Sequence, residues 1–569
     1  MSSNLASNYI VKAVPTDQKL RGGYYTPRLI SKFLADWAIQ SPEATVLEPS
    51  CGDGNMLEAA VETLLSKGAK PKVISQNVHG IEIEHIEAEK AGHRLRALKI
   101  PYNPSQIEVG DFFAYCKQHL NDKRLFDAVI GNPPFIRYQN FLEEHRGPAF
   151  DLMARAGLKP NRLTNAWVPF LLASALLLNE NGRMAMVVPA ELLQVKYAAS
   201  LRRFISDYFS KVTLVTFRSL VFQDIQQEVV LLLGEKGRAK HTGIRTIELD
   251  DVSDLATYDH SRVSTGEVKP MDHSTEKWTQ YFLNTSEIEL LRELRKNTNL
   301  TSSGDVIDVD VGVVTGLNKF FVLTQEQIEE YGLEKYTQRI VGRSGHLSGI
   351  VFSEEDWKAN TQSQYAAYLL TPPDVDFERL PKKLKDYILR GEREKVHKGY
   401  KCSIRNRWYI VPSVWVPDAF LLRQIHSYPK IIINEAGATS TDTIHRIRFR
   451  NGHRGRTVAA AFVNSLTFAF SEVVGRSYGG GVLELEPNEA EDIPIPLENM
   501  KALDAEGIHR LLLQDKVEEA LDITDHHLLI QGVGLSRKEA KAVRNIWKTL
   551  RDRRINRKQK TEKPRITSV

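Results

Sequence analysis

A chain of 569 residues is too long for one domain and suits two or three, and a hydrophobic share of 42% is enough to fill ordinary cores. Three widely spaced cysteines, Cys51, Cys116 and Cys402, give neither a disulfide framework nor a metal-ligand pattern, which fits a reducing cytoplasmic setting. A net charge of +5 permits a nucleic-acid partner without demanding one, and neither a secretory leader nor an apolar run long enough to span a membrane is present, so a membrane partner is not expected.

The first 19 residues read as a polar arm. Gly22-Gly23-Tyr24-Tyr25-Thr26-Pro27 follows, and then Leu29-Ile30, Phe33-Leu34 and Trp37-Ala38 at helical spacing, with Thr26 as N-cap and Pro27 at the first helical position. A short apolar run, Thr45-Val46-Leu47, ends in Glu48-Pro49-Ser50-Cys51-Gly52-Asp53-Gly54. Leu57, Ala60, Val61, Leu64 and Leu65 then repeat at helical spacing. Strand, glycine-rich turn and helix make a nucleotide-binding βα unit, whose helix N-terminus favours a carboxylate. Cys51, inside that loop, reads as a small loop residue rather than a nucleophile. Two acids close the next strand-like segments: Glu82 in 78–84 and Asp111 in 107–112. Each suits either a helix cap or solvated strand end, or a ligand: Glu82 two ribose hydroxyls, Asp111 an adenine amino group.

The run Phe126-Asp127-Ala128-Val129-Ile130 leads into Gly131-Asn132-Pro133-Pro134-Phe135. A strand closing on a proline pair is compatible with a plain turn. It also sets an amide, a carbonyl and a flat ring at the carboxyl edge of a sheet, where open α/β folds bind ligands. Those groups suit an exocyclic amino group on a planar base: two acceptors for its hydrogens and a ring to stack on. Residues 165–178 read as a helix, Asn181–Pro189 as a turn and strand, and Glu228–Leu233 as a further strand.

Taken together and in this order, the Tyr-Thr-Pro motif, the glycine loop and Asn132-Pro133-Pro134-Phe135 resemble the gamma-class N6-adenine DNA methyltransferases of restriction–modification systems. The resemblance covers roughly residues 20–240. It implies an α/β, class I S-adenosylmethionine (AdoMet)-dependent methyltransferase fold, Rossmann-like with helices on both faces of a mostly parallel sheet, and a mixed α+β target recognition domain after it. The implied cofactor residues are Tyr25, Thr26, Pro27, Glu48, Pro49, Ser50, Cys51, Gly52, Gly54, Glu82, Asp111, Asn132 and Pro134, and no metal is implied. The implied catalytic residues are Asn132, Pro133, Pro134 and Phe135, with Phe222 as a second aromatic clamp. The implied reaction is direct methyl transfer to the N6 amino group of an adenine flipped out of duplex DNA. Its implied counterpart is a cognate restriction endonuclease, functionally linked but not necessarily bound. One copy of each domain suggests a monomer. Rival readings are an RNA guanine-N2 or protein-glutamine enzyme, a combined restriction–modification enzyme, a non-catalytic DNA-binding module with a relic cofactor pocket, and N4-cytosine methylation.

The expected layout is an arm (1–19), a catalytic domain (20–245), a polar linker (246–275), a recognition domain (276–500) and a helical extension with a basic tail (501–569). Within 308–323 two strands joined by a Gly-Leu-Asn turn are expected. Arg405, Arg407 and Trp408 combine charge with a stacking face and suit either a phosphate and guanine contact or a solvated surface over a core tryptophan. Gly479, Gly480 and Gly481 suit either close approach of backbone to DNA or a flexible turn. The stretch 537–565 reads as an amphipathic helix, with Val543, Ile546, Trp547 and Leu550 on one side. It runs into a basic tail, and that tail either contacts phosphates or stays solvated.

Overall fold

The computed structural model describes residues 26–98, 100–222, 228–237, 243–271, 277–453, 455–478 and 480–557. Two compact units divide between Tyr281 and Phe282. The first is built on a nine-stranded sheet of order β3-β2-β1-β4-β5-β7-β6-β8-β9. Its strands are β1 (Val46–Glu48), β2 (Val78–Glu82), β3 (Ile107–Val109), β4 (Phe126–Gly131), β5 (Leu178–Pro189), β6 (Lys211–Phe217), β7 (Val229–Glu235), β8 (Gly243–Leu249) and β9 (Lys269–Pro270). β1 runs parallel to both β2 and β4, with Val46 opposite Val78 on one side and Ala128 on the other. β7 is antiparallel to β5 and β6. This is the class I methyltransferase order, and the chain reverses its direction of winding between β1 and β4. A crevice at that point, beyond the carboxyl ends of the strands, is where such sheets take ligands.

The sequence dictates this arrangement through burial. Every residue of β1 is buried, and so are Ala128 to Gly131 of β4, so these strands are covered on both faces by helices. The helix Arg28–Ala38 supplies Ile30, Phe33, Leu34 and Trp37 to one face, and Asn55–Ser66 adds Met56, Leu57, Val61 and Leu64. The segment expected as a linker belongs to the first unit: residues 246–249 continue β8, which pairs with β6, residues 269–270 form β9 against β8, and the short helical turns Val252–Ala256 and Ser261–Thr265 lie between.

The second unit carries a five-stranded sheet, in which Ala419–Leu422 is central and Ile431–Asn434 lies beside it. A separate four-stranded sheet holds Val322–Leu323. The expected strand pair within 308–323 does not form as a hairpin. Ile307–Asp310 pairs with Ile444–Phe449 in the first sheet, whereas Val322–Leu323 pairs with Tyr368–Leu370 in the second. The intervening residues form a loop and a short helix, Asn318–Phe321, which buries Phe320 and Phe321 in a core with Tyr387 and Ile388. The helix Arg537–Ile555 is amphipathic as expected, burying Val543, Ile546, Trp547 and Leu550 within this unit, so 501–557 is part of its fold and not an appendage. Among the described residues no single helix is long and apolar enough to cross a membrane.

Candidate functional site

The glycine loop starts where β1 ends. Cys51 N–H donates to the Ile81 carbonyl (2.9 Å) and Gly54 N–H to the Cys51 carbonyl (2.8 Å), so the chain turns sharply over the end of β2. Gly54 sits at φ 82°, and a Cβ there would lie 2.9 Å from the backbone of Ala91; only glycine allows the loop and the helix His85–Ala97 to meet. Arg94 on that helix clamps the turn, donating to the Asp53 carbonyl (2.9 Å) and to the Asp53 and Glu58 carboxylates. The helix Asn55–Ser66 that follows has glycine, Gly54, as its N-cap, and its first N–H, that of Asn55, donates to Asp53 Oδ1 (3.3 Å).

Two acids face this turn. Glu82, at the end of β2, accepts from Gly52 N–H (2.8 Å) and Glu84 N–H (2.9 Å), one on each oxygen. Burial raises its carboxyl above the usual range. Each oxygen keeps a second lone pair. Glu48 is 4% exposed, and its Oε2 has no hydrogen-bond partner among the described residues. Burial first, then the charges of Asp53 and Glu82, hold its carboxyl well above the ordinary range. A buried acid with an unanswered oxygen, beside a helix N-terminus and a strand-end carboxylate, fits a polar, zwitterionic cofactor.

The Asn132 motif leaves β4 beside this loop. Ser50 Oγ donates to the Asn132 carbonyl (3.4 Å), and Asn132 Nδ2 donates to Thr26 Oγ1 (3.2 Å). Thr26 therefore does not cap the first helix as expected. That helix begins at Arg28 with Pro27 as its N-cap and no side-chain cap, and the Thr26 hydroxyl serves the Asn132 amide. Asn55 Nδ2 donates to the Thr26 carbonyl and to Ser31 Oγ (3.2 Å), tying the glycine loop to the same point. Phe222 is buried in the core beneath, and Phe135, half-buried, packs against the same cluster. Pro133 is buried and Pro134 half-buried at the strand end; Pro49 is buried across from them. Tyr25 lies outside the described residues.

Asp111 is used inside the protein. Its Oδ1 caps the helix Phe112–Asn121 through Ala114 N–H (2.8 Å), and its Oδ2 lies 2.8 Å from His145 Nδ1. The helix-cap reading of this residue holds, and His145 was missed. So were Asn55 and Arg94, because nothing local in sequence marks a side chain that reaches back across the fold. Beyond Phe135, Ala166 N–H donates to the Ile136 carbonyl (2.9 Å) and Tyr138 N–H to Asn165 Oδ1 (3.1 Å). Asn165 Nδ2 in turn reaches the Tyr197 hydroxyl at 2.9 Å.

In the second unit the residues singled out for DNA are committed to internal contacts. Arg405 donates to the carbonyls of Val314 and Thr315 (both 2.8 Å) and Trp408 (3.3 Å), and burial lowers its pKa from the ordinary guanidinium value. Arg407 pairs with Asp374 and Asp376, and Trp408 packs on Phe320 and Phe321 while its Nε1 donates to Glu392. Trp408 packs against the core, but the arginines are half-buried and not simply solvated: Arg405 serves loop carbonyls and Arg407 two carboxylates. Gly480 is exposed, Gly481 closes on the last helix, and Gly479 lies outside the described residues. Replacing Arg405 with glutamine should destabilise the protein by roughly 1–3 kcal/mol, as three carbonyls lose a charged donor. It should leave the slope of log K against log salt for duplex DNA unchanged, and fluorescence anisotropy over a salt series measures that slope; a fall of about 0.9 would restore Arg405 to the phosphate interface.

The N-6 DNA Methylase family model matches residues 6–304, and the model of the C-terminal domain of type II methyltransferase M.Eco57I matches residues 275–529. Type II methyltransferase M.AccI of Acinetobacter calcoaceticus is 22% identical over 487 residues, 82% of this chain and 83% of its own. Type II methyltransferase M.XamI of Xanthomonas campestris pv. amaranthicola is 20% identical over 493 residues, 84% and 86% respectively. The type IIL restriction-modification enzyme MmeI, solved in complex with DNA, shares the fold with a TM-score of 0.57 at 14% identity, over 92% of this chain and 75% of that one.

Proposed function

The chain belongs to the N-6 DNA methylase family, and on that premise we propose that it transfers the methyl group of AdoMet to the N6 amino group of an adenine turned out of a short duplex DNA motif, as the modification arm of a restriction–modification system. The observation that carries this reading is the placement of Asn132-Pro133-Pro134-Phe135 at the carboxyl edge of β4, beside the glycine loop and tied to Thr26. The match of residues 275–529 to a type II methyltransferase domain supports DNA over RNA guanine or protein glutamine as substrate.

When bound, AdoMet supplies an activated methyl group on a positively charged sulfonium. The glycine loop 50–54, the helix N-terminus at Asn55 and Glu48 would hold its amino-acid end together with Thr26, and Glu82 its ribose hydroxyls. Asp111 would take the adenine amino group through a lone pair not engaged by His145. The Asn132 side-chain oxygen and the Pro133 carbonyl accept the two hydrogens of the target amino group. That draws the nitrogen toward tetrahedral geometry and turns its lone pair toward the methyl. Phe135 stacks on the target base, with Phe222 as the second wall, for roughly 1–3 kcal/mol per base. Catalysis is then chiefly positioning.

Whole-genome modified-base sequencing of a methylation-free bacterial host expressing the chain tests this reading. N6-methyladenine confined to one short motif is expected, and it would supply the recognition site. N4-methylcytosine, or unmodified DNA from a host making folded protein, would overturn it.

A further inference from the structure

We infer that the loop after the helix Glu143–Arg155 is a wedge, with Leu163 entering the base stack of duplex DNA as the target adenine leaves it. This rests on the reading of duplex DNA as substrate and adds to it a residue that opens the helix.

Leu163 is 68% exposed, more than any other large apolar side chain described in the first unit. A lone exposed leucine means little; this one is held out by the fold on both sides. Leu158, 4% exposed, anchors the start of the loop, and its N–H donates to the Met153 carbonyl (2.9 Å). Thr164, 1% exposed, anchors the end. Between them Asn161 builds a closed turn: its side-chain oxygen accepts from Leu163 N–H (2.8 Å), its N–H donates to Thr164 Oγ1 (3.0 Å), and its carbonyl accepts from Thr164 N–H (3.0 Å). The turn buries Thr164 and leaves its neighbour Leu163 in solvent, which is costly for an apolar side chain with no partner.

The loop is also attached to the catalytic strip. Asn165 and Ala166, which follow it directly, hold Tyr138 N–H and the Ile136 carbonyl, three and one residues beyond Phe135. The wedge and the acceptors of the target amino group thus belong to one hydrogen-bonded piece. Its surroundings suit a polyanion. Arg155, Lys159 and Arg162 are exposed and make no ion pair with a described residue, and no acid occurs between Asp151 and Glu180. Apolar side chains flanked by cations are the means by which proteins part base steps while holding the phosphates beside them.

The experiment uses the full chain and two duplexes carrying the motif found by sequencing. In one the target adenine is paired with thymine; in the other it faces an abasic site, which removes most of the cost of extrusion. Single-turnover transfer by Leu163→Ala should fall about tenfold or more on the paired duplex and stay within about threefold on the abasic one. Leu163→Phe should retain most of the rate. A 2-aminopurine at the target position should lose its fluorescence rise with Leu163→Ala on the paired duplex. Equal slowing on both duplexes, or none on either, would overturn the wedge. Failure of the unaltered protein to methylate either duplex would overturn the proposed function, and the wedge with it.

Discussion

Replacing Asn132 with alanine is expected to lower methyl transfer by about a factor of 10²–10³ or more, the usual result of deleting one preorganised hydrogen-bonding group at a reacting centre. AdoMet affinity should change only a few-fold. The split follows from the geometry. Asn132 touches the cofactor loop through its backbone carbonyl, which accepts from Ser50 Oγ at 3.4 Å and survives the substitution. Its side chain is oriented by Thr26, whose hydroxyl takes the amide hydrogen at 3.2 Å, so the amide oxygen is set by the fold before any substrate arrives. Alanine removes the acceptor and leaves the strand, the proline pair and the cofactor turn in place. Single-turnover transfer from labelled AdoMet and calorimetric titration of the cofactor read the two quantities separately. Transfer within a few-fold of the unaltered protein would remove Asn132 from catalysis, and loss of cofactor binding alone would make it a cofactor residue.

What the sequence made legible was local. The strand ending at Ile130, the turn after Glu48 and the helix beyond Gly54 are each marked by a run of adjacent residues, and the structure has β4, the loop and the helix there. Glu82 and Asp111 were placed correctly at strand ends, but their partners were not, because Gly52 N–H and His145 reach them from other elements. Thr26 shows the limit well. A Thr-Pro pair before an amphipathic helix reads as a cap, yet its hydroxyl is taken by a side chain 106 positions away. In the second unit, charge next to an aromatic ring read as a nucleic-acid surface, and the same charges close loops. Arg405 and Arg407 answer carbonyls and carboxylates contributed by residues 314–315 and 374–376. The 246–275 segment read as a linker by composition, but its two ends pair at the sheet edge, 246–249 with β6 and 269–270 with β8, and tie it to the first unit.

The cations of the last helix carry the same lesson into energetics. Arg544 pairs with Asp525 at 2.8 Å and Lys548 with Glu518 at 2.8 Å, so both are engaged within the fold. Arg554 is 2% exposed and meets Glu472, itself 4% exposed, through two parallel bonds: Nε to Oε2 at 3.0 Å and Nη2 to Oε1 at 2.6 Å. Its remaining nitrogen donates to the carbonyls of Gly481 and Ile425, which pins the strand pair Arg476–Tyr478 and Val482–Glu484 against the helix. Gly481 is glycine for that reason: at φ 73°, a Cβ would sit 3.3 Å from the Ile555 backbone. Arg554→Met should destabilise the protein by about 3–5 kcal/mol, because it leaves the buried Glu472 carboxylate without its hydrogen-bonded cation. Thermal unfolding should then begin at a temperature lower by roughly 6–20 °C, at about 2–4 °C per kcal/mol for a unit of this size. Adding Glu472→Leu should recover most of that loss, since an apolar pair of similar volume removes the uncompensated charge. Differential scanning calorimetry of the two variants decides the matter. If the double variant is no more stable than Arg554→Met, the loss comes from the freed carbonyls of Gly481 and Ile425 and not from the buried carboxylate.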